Sequence, residues 1–343
     1  MLRLDRPSSF DSASSRSSFR LPAPPMSDVI NQPRLPPGPG AQVAHLIRSR
    51  MQSVLNGVQD RLRGAEHSTQ FLTQAQQQML SAAPEEMRQP LIQRFQRENQ
   101  GRLQGMRNLA NVVDRPFSPL ETSSNIQHEA RALRSSVDQS FAAFERYARS
   151  LPPEQRTQVM SQLATERARL SQSLEPQLAQ LTRSGASLQD VQSALQRIDA
   201  AIGMSVGYMA DQLLQAVPPE TRPLAQAEFQ LLQEGQALAK YNLFSRALQP
   251  SSPTDFSKLP GNVPTTGALT PTQTHQTMGR FEASIQQQYQ MRMEQANKLP
   301  AELRDAAAYD AGAQRDRLLV TAYRNVLGRM VDPLQPPPAP ATR

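Results

Sequence analysis

A five-residue pattern occurs four times in the chain: proline, any residue, glutamate, any residue, arginine. The copies are Pro84, Glu86 and Arg88, then Pro152, Glu154 and Arg156, then Pro218, Glu220 and Arg222, and last Pro300, Glu302 and Arg304. A carboxylate and a guanidinium this close could recognise an anion or move a proton, and four copies would make a repeated site. The setting argues for structure instead. Each copy follows a short, largely apolar step (Ala82-Ala83, Ser150-Leu151, Ala216-Val217, Lys298-Leu299) and lies between two helix-like segments. Proline is tolerated in a first helical turn, where no amide donor is needed. Glutamate two residues later meets the positive end of the helix dipole. The pattern therefore reads as the tight corner of a repeated helical hairpin, with its arginine one turn in, reaching the partner helix or solvent. No catalytic role is assigned to it.

Other chemistry is sparse. The chain has no cysteine, which excludes disulfides, Cys-ligated zinc or iron–sulfur sites and thiol nucleophiles. The four histidines, His45, His67, His128 and His275, have no partner at metal-ligand spacing, so no metal site is expected. There is no phosphate-cradling glycine loop, no zinc-protease helix motif and no GxSxG elbow, and no cofactor is expected. Gly101-Arg102-Leu103-Gln104 and Gly105-Met106-Arg107 resemble the arginine-bearing stretch of bacterial secreted GTPase-activating domains. That resemblance implies an arginine inserted into the phosphate site of a partner GTPase. The family's further glycine-rich stretch is missing here. Ala311-Gly312-Ala313 resembles the Gly-Ala loop of secreted exchange factors, but it falls within a helical run.

These residues must be positioned by helices. Hydrophobic residues are 38% of the 343 and aromatics 5%, with no tryptophan, while Ala, Leu, Gln, Arg and Glu dominate. This is a helix-forming palette and not that of an α/β core. In the first segment Val43, Ile47, Met51, Val54, Val58 and Leu62 recur at steps of three or four, one face of a helix that begins near Ala41 and breaks near His67. Leu91 to Leu109 return after the first corner and stop before Pro116. A second hairpin opens at a capping box, Ser124 with Gln127, and carries Leu133, Val137, Phe141 and Phe144 out, with Val159, Leu163, Leu170, Leu174, Leu178 and Leu181 back. Pro176 predicts a kink or a short break, and Gly185 the helix end. A third opens at Ser187 and Asp190 with the cleanest heptad-like stripe, Leu188 to Val217. Its Gly203 and Gly207 suggest close backbone packing against a neighbour. A fourth opens at Thr270 and Gln273, with Pro271 at the first helical position.

The corner prolines stand 68, 66 and 82 residues apart, which gives a unit of about 67 residues. The expected fold is all-α: four tandem long helical hairpins, about eight helices, stacked as a helical repeat or an array of bundles. The expected divisions are 1–40, a Ser- and Pro-rich disordered leader; 41–248, hairpins one to three; 249–269, a Pro/Gly/Ser/Thr loop with a soft boundary; 270–332, hairpin four; and 333–343, a Pro-rich disordered tail. No run of about 18 apolar residues exists, so no transmembrane segment is expected. The formal net charge of +7 is diffuse, almost entirely arginine, and lacks stacking aromatics, which argues against a nucleic-acid partner.

Residues 1–40 resemble the leaders of bacterial type III secretion substrates: rich in serine (Ser8, Ser9, Ser12, Ser14, Ser15, Ser17, Ser18), then proline-rich, with no cleavable signal. The resemblance implies an exported effector that meets a host protein, with a secretion chaperone as a further partner. The expected function is thus a helical protein–protein interaction module without enzymatic activity, secreted by a type III-like route into a host cell. The alternatives are a cytoplasmic coiled-coil or self-associating structural protein, and a GTPase regulator that uses Arg102 or Arg107.

Overall fold

The computed structural model describes residues 38–115, 119–182, 187–248 and 267–330. Within them every element of regular structure is helical: α1 (Pro39–Ser68), α2 (Gln74–Ala82), α3 (Glu85–Val112), α4 (Pro119–Arg149), α5 (Pro153–Thr182), α6 (Leu188–Ile202), a five-residue π-helical segment (Gly203–Gly207), α7 (Tyr208–Ala216), α8 (Arg222–Ala247), α9 (Pro271–Ala296) and α10 (Ala301–Arg329). The chain is therefore an all-α array of long hairpins. Two outgoing arms are more broken than one helix each: the first divides into α1 and α2, and the third is α6, the π segment and α7. No helix of the described residues is long and apolar enough to cross a membrane.

Local sequence sets most helix starts. Ser187 with Asp190 and Thr270 with Gln273 form reciprocal capping boxes, the side chain of each cap accepting from the third residue's amide. A third box, Thr73 with Gln76, opens α2 and was not anticipated. Such a cap contributes about 1 kcal/mol. Other starts differ from expectation. α4 begins at Pro119, so Ser124 lies inside the helix and not at its start. α1 begins at Pro39, with Gly38 before it at φ 134°, a backbone conformation suited to glycine, so the first helix starts two residues earlier than expected. α5 runs without a break through Pro176, the lost amide donor tolerated within thirty residues of helix. Residues 1–37, 183–186, with Gly185, 249–266 and 331–343 lie outside the described residues.

One apolar core joins α4 to α8. Leu133, Phe141 and Phe144 of α4, Leu163, Leu170 and Leu178 of α5, Ile198, Met209 and Leu213 of the third arm and Phe229 and Leu243 of α8 are all buried. Phe144 meets Phe229 edge to face with ring centroids 4.9 Å apart, and Tyr147 meets the same ring at 5.4 Å. A second core joins α1, α9 and α10 through Ile47, Phe281, Ile285, Leu318 and Tyr323, and continues to α3 through Val58, Leu62, Met106 and Tyr309. Hairpins do not stack in chain order. The first docks α1 and α3 along α10 of the fourth, and α2 along α8 of the third. α1 and α9–α10 share one interior. The end of the 249–269 loop is tied down, with the Leu269 amide donating to the Arg329 carbonyl at 2.7 Å.

Candidate functional site: the corners and the cleft between hairpins

At each corner the arginine does one job. Its guanidinium donates to the carbonyl of the residue just before the proline. Arg88 Nε reaches Ala83 O at 3.1 Å, Arg156 Nη2 reaches Leu151 O at 3.0 Å, Arg222 Nη2 reaches Val217 O at 3.3 Å and Arg304 Nη2 reaches Leu299 O at 3.4 Å. That residue is the C-cap of the outgoing helix at the first and third corners and lies just beyond its end at the second and fourth, and its carbonyl has no backbone amide donor because the helix does not continue to the residue four positions on. A cation there also matches the negative end of the helix dipole. The preceding residues, Ala83, Leu151, Val217 and Leu299, are all buried and anchor the corner. Pro84 and Pro300 are the N-caps of the return helices and lie one position before the first turn. At the third corner the return helix starts only at Arg222, so Glu220 precedes it. Glu86, Glu154 and Glu220 are exposed, and among the described residues no ion pair joins the glutamate and arginine of any corner. Pro152 and Pro218 precede turn or helix in the same way.

A cleft of about 660 Å³ opens between α2, α3, α4 and α8, where the first and second hairpins stand apart. Its walls carry Leu231, Leu232, Leu238 and Leu303. Its charged groups are Arg94, Glu98, Arg102, Glu129 and Glu234. Arg94 and Glu98 pair with each other at 2.8 Å. Glu234 accepts from Thr73 Oγ1 at 2.8 Å, and burial holds its carboxyl above the ordinary range. Burial does the same to Glu129, opposed by the charges of Arg246 and His128. Burial lowers the Arg102 guanidinium. Arg102 donates through Nη2 to Asn99, whose own amide donates to the Phe71 carbonyl at 3.3 Å. Perturbed groups gathered in a cleft are where binding or catalysis is to be sought.

A second polar region is closed. Asp310 of α10 accepts from Tyr241 Oη and Ser245 Oγ, each at 3.1 Å, and from Gln314 Nε2 at 2.6 Å. Burial pushes the Tyr241 hydroxyl upward, reinforced by Asp310. Arg292 of α9 lies fully buried beside them, its guanidinium lowered to about 10 by desolvation. Farther along α10, buried Asp316 pairs with Arg61 of α1 and, at 2.9 Å, with Arg315, which covers the Tyr289 ring at 4.8 Å.

Neither family models nor curated proteins nor solved structures match the chain.

The histidines stay apart. His67, His128 and His275 are exposed, and His67 packs edge-on against Phe71. Among the described residues no three His, Asp or Glu side chains gather for a metal ion. Arg102 faces the cleft, whereas Arg107 is exposed and paired with Glu66 at 3.0 Å. Ala311 to Ala313 form the buried middle of α10, where a Cβ on Gly312 would stand 3.5 Å from Arg61 Nε. The expected close packing at Gly203 and Gly207 is not found: a Cβ at either meets nothing within 4 Å. The two glycines bracket the π segment instead. It turns Ser205 and Val206 inward, with Ser205 Oγ donating to Glu166 at 3.0 Å, and leaves Met204 and Tyr208 outward. Sequence reading missed Glu129, Glu234, Asp310 and Arg292. Each is a lone polar residue on a helix, and only the packing of distant helices gives it neighbours.

Proposed function

We propose that the protein is a helical interaction module that engages a protein partner, and that it is exported from a bacterium by a type III-like route to do so. The observation that supports this reading is an exposed pair, Met204 within the π segment and Tyr208 at the start of α7. Met204 is 58% exposed and Tyr208 49%, one turn apart on a single outward face. π segments are rare in soluble helices and concentrate at functional positions. Methionine adapts its shape to a partner, and tyrosine adds a large apolar body with a polar tip, the side chains that dominate binding hot spots. The resemblance of residues 1–40 to exported leaders supports the location.

Photo-crosslinking tests the module. A photoreactive residue at 204 is expected to trap a defined host protein that a photoreactive residue at exposed Ser161 does not. The double variant Met204→Glu, Tyr208→Glu is expected to lose that partner while keeping wild-type helicity and Tm. Retention of the same partner by the variant would overturn the reading. For export, removing residues 2–37 is expected to leave a folded body that is no longer secreted; undiminished secretion would remove that part of the proposal.

A further inference from the structure

The cleft between the first and second hairpins carries a carboxylate without a direct hydrogen-bond or ion-pair partner. Of its five charged groups, Arg94 and Glu98 neutralise each other. Arg102 is turned onto Asn99 and answers, in part, the charge of Glu234. Glu234 is further held by the Thr73 hydroxyl and the Ala75 amide. Glu129 alone has no direct partner: no hydrogen bond or ion pair from the described residues reaches it, and it stands half-buried on the cleft wall with the charges of Arg246 and His128 acting on it from farther off. A carboxylate held away from bulk water without a donor is costly unless something supplies one.

The rest of the lining narrows what that partner is. Two carboxylates, Glu129 and Glu234, against the one guanidinium of Arg102, itself engaged with Asn99, oppose an anion. A divalent cation wants several oxygen or imidazole ligands together, and no such group exists among the described residues. The leucines offer a wall to an apolar stem, and Gly101 and Gly235 leave space open beside it. We infer that this cleft binds an organic cation, an ammonium or guanidinium head on an aliphatic stem, with the head on Glu129 and the stem along Leu231, Leu232 and Leu238. Charge-assisted hydrogen bonds from the head satisfy the carboxylate, and the stem removes apolar wall from water. Two sources present this chemistry: a free diamine or guanidino compound, and a lysine or arginine side chain of a polypeptide. The inference is independent of the Met204 and Tyr208 face.

Isothermal titration of the full chain tests it with three probes: agmatine, a blocked Gly-Arg-Gly peptide and the same peptide with citrulline in place of arginine. Saturable one-to-one binding is expected for at least one guanidinium probe and not for the neutral citrulline peptide. Tighter binding of agmatine assigns the cleft to a free small molecule, and tighter binding of the arginine peptide to a polypeptide side chain. Glu129→Gln is expected to weaken binding about tenfold or more, the loss that follows removal of a desolvated charge partner. Gly235→Leu, which fills the open space on an exposed helix position, is expected to abolish binding while helicity and Tm are kept. No saturable heat at millimolar probe, equal binding of the citrulline peptide, or binding that survives either substitution would overturn the inference.

Discussion

The bundle of α4 to α8 and the bundle of α1, α9 and α10 share helix lengths and the same corner, yet their interiors are opposites. The first is filled by Leu133, Phe141, Phe144, Leu163, Leu170, Ile198, Met209 and Phe229, in near-continuous apolar contact. The second holds Thr274, Thr277, Ser284, Gln288 and Arg292 on the inward face of α9, and Gln314, Asp316 and Thr321 on α10. Ser284 Oγ, Gln288 Oε1, Thr321 Oγ1 and two nitrogens of Arg292 are buried there without a hydrogen-bond partner. Apolar burial is forgiving of orientation, whereas a polar interior is favourable only where its partners are met. The comparison teaches that apolar burial and polar pairing are divided in this chain. The α4–α8 core is the larger apolar cluster, and in the polar seam α10 is tied to α8 through Asp310 and to α1 through Asp316.

Truncation should separate the two regions first. Phe144→Ala removes a ring that touches both Phe141 and Phe229, and is expected to cost about 3–5 kcal/mol in urea denaturation. A loss below 1 kcal/mol would mean that the apolar core is not the dominant unit. In the polar seam, Asp316→Ala leaves the Arg61 and Arg315 guanidiniums facing each other without their shared carboxylate. A loss of about 3 kcal/mol is expected at pH 7, for breaking a buried pair from one side. If that variant is as stable as the wild type, the seam is not a set of required pairs.

The corners belong to both regions and test whether they are built alike. Arg156→Ala removes the donor to the Leu151 carbonyl, and a loss of about 1 kcal/mol is expected by thermal unfolding. Arg304→Ala at the corner of the polar bundle should cost no more, given its longer 3.4 Å contact. The reverse order would show that the seam leans on its corner more than the apolar bundle does. The smallest effect concerns Glu129. Burial raises its folded pKa, so the folded state binds the proton more tightly than the unfolded chain. Its contribution is therefore unfavourable above the raised pKa, and that penalty fades as pH falls to the ordinary carboxylate range. Glu129→Gln should raise Tm slightly at pH 7, with the gain shrinking toward pH 4.5. A gain that grew on acidification would contradict the assigned direction.

Legibility in the sequence followed the kind of force involved. The corner was readable because proline and the helix dipole act within a few residues. The capping boxes at Ser187 and Thr270 were readable for the same reason, but Thr73 was passed over because no apolar run follows it closely. The inferred box at Ser124 failed because α4 starts at Pro119 and the box residues found themselves inside a helix. In α10 the apolar stripe was followed through Leu303 and Ala307 and taken up again at Leu318. The segment between, including Asp310, Gln314 and Asp316, carries no apolar stripe of its own. It is buried because α1, α8 and α9 close around it, and no local pattern encodes that.

The amino-acid sequence by itself determined the helices, the hairpin length and the position of each corner, since these depend on periodicity and on contacts a few residues apart. Tertiary structure alone decided that α1 lies along α10, that the hairpins depart from chain order, and that Glu129 and Glu234 line one cleft. The task of the corner arginine is as local as the corner itself, a contact five residues back, yet only the structure shows it. The sequence left that side chain free to reach either the partner helix or solvent. The corner places one unpaired carbonyl within its reach, and the guanidinium supplies the donor that the interrupted helix no longer provides.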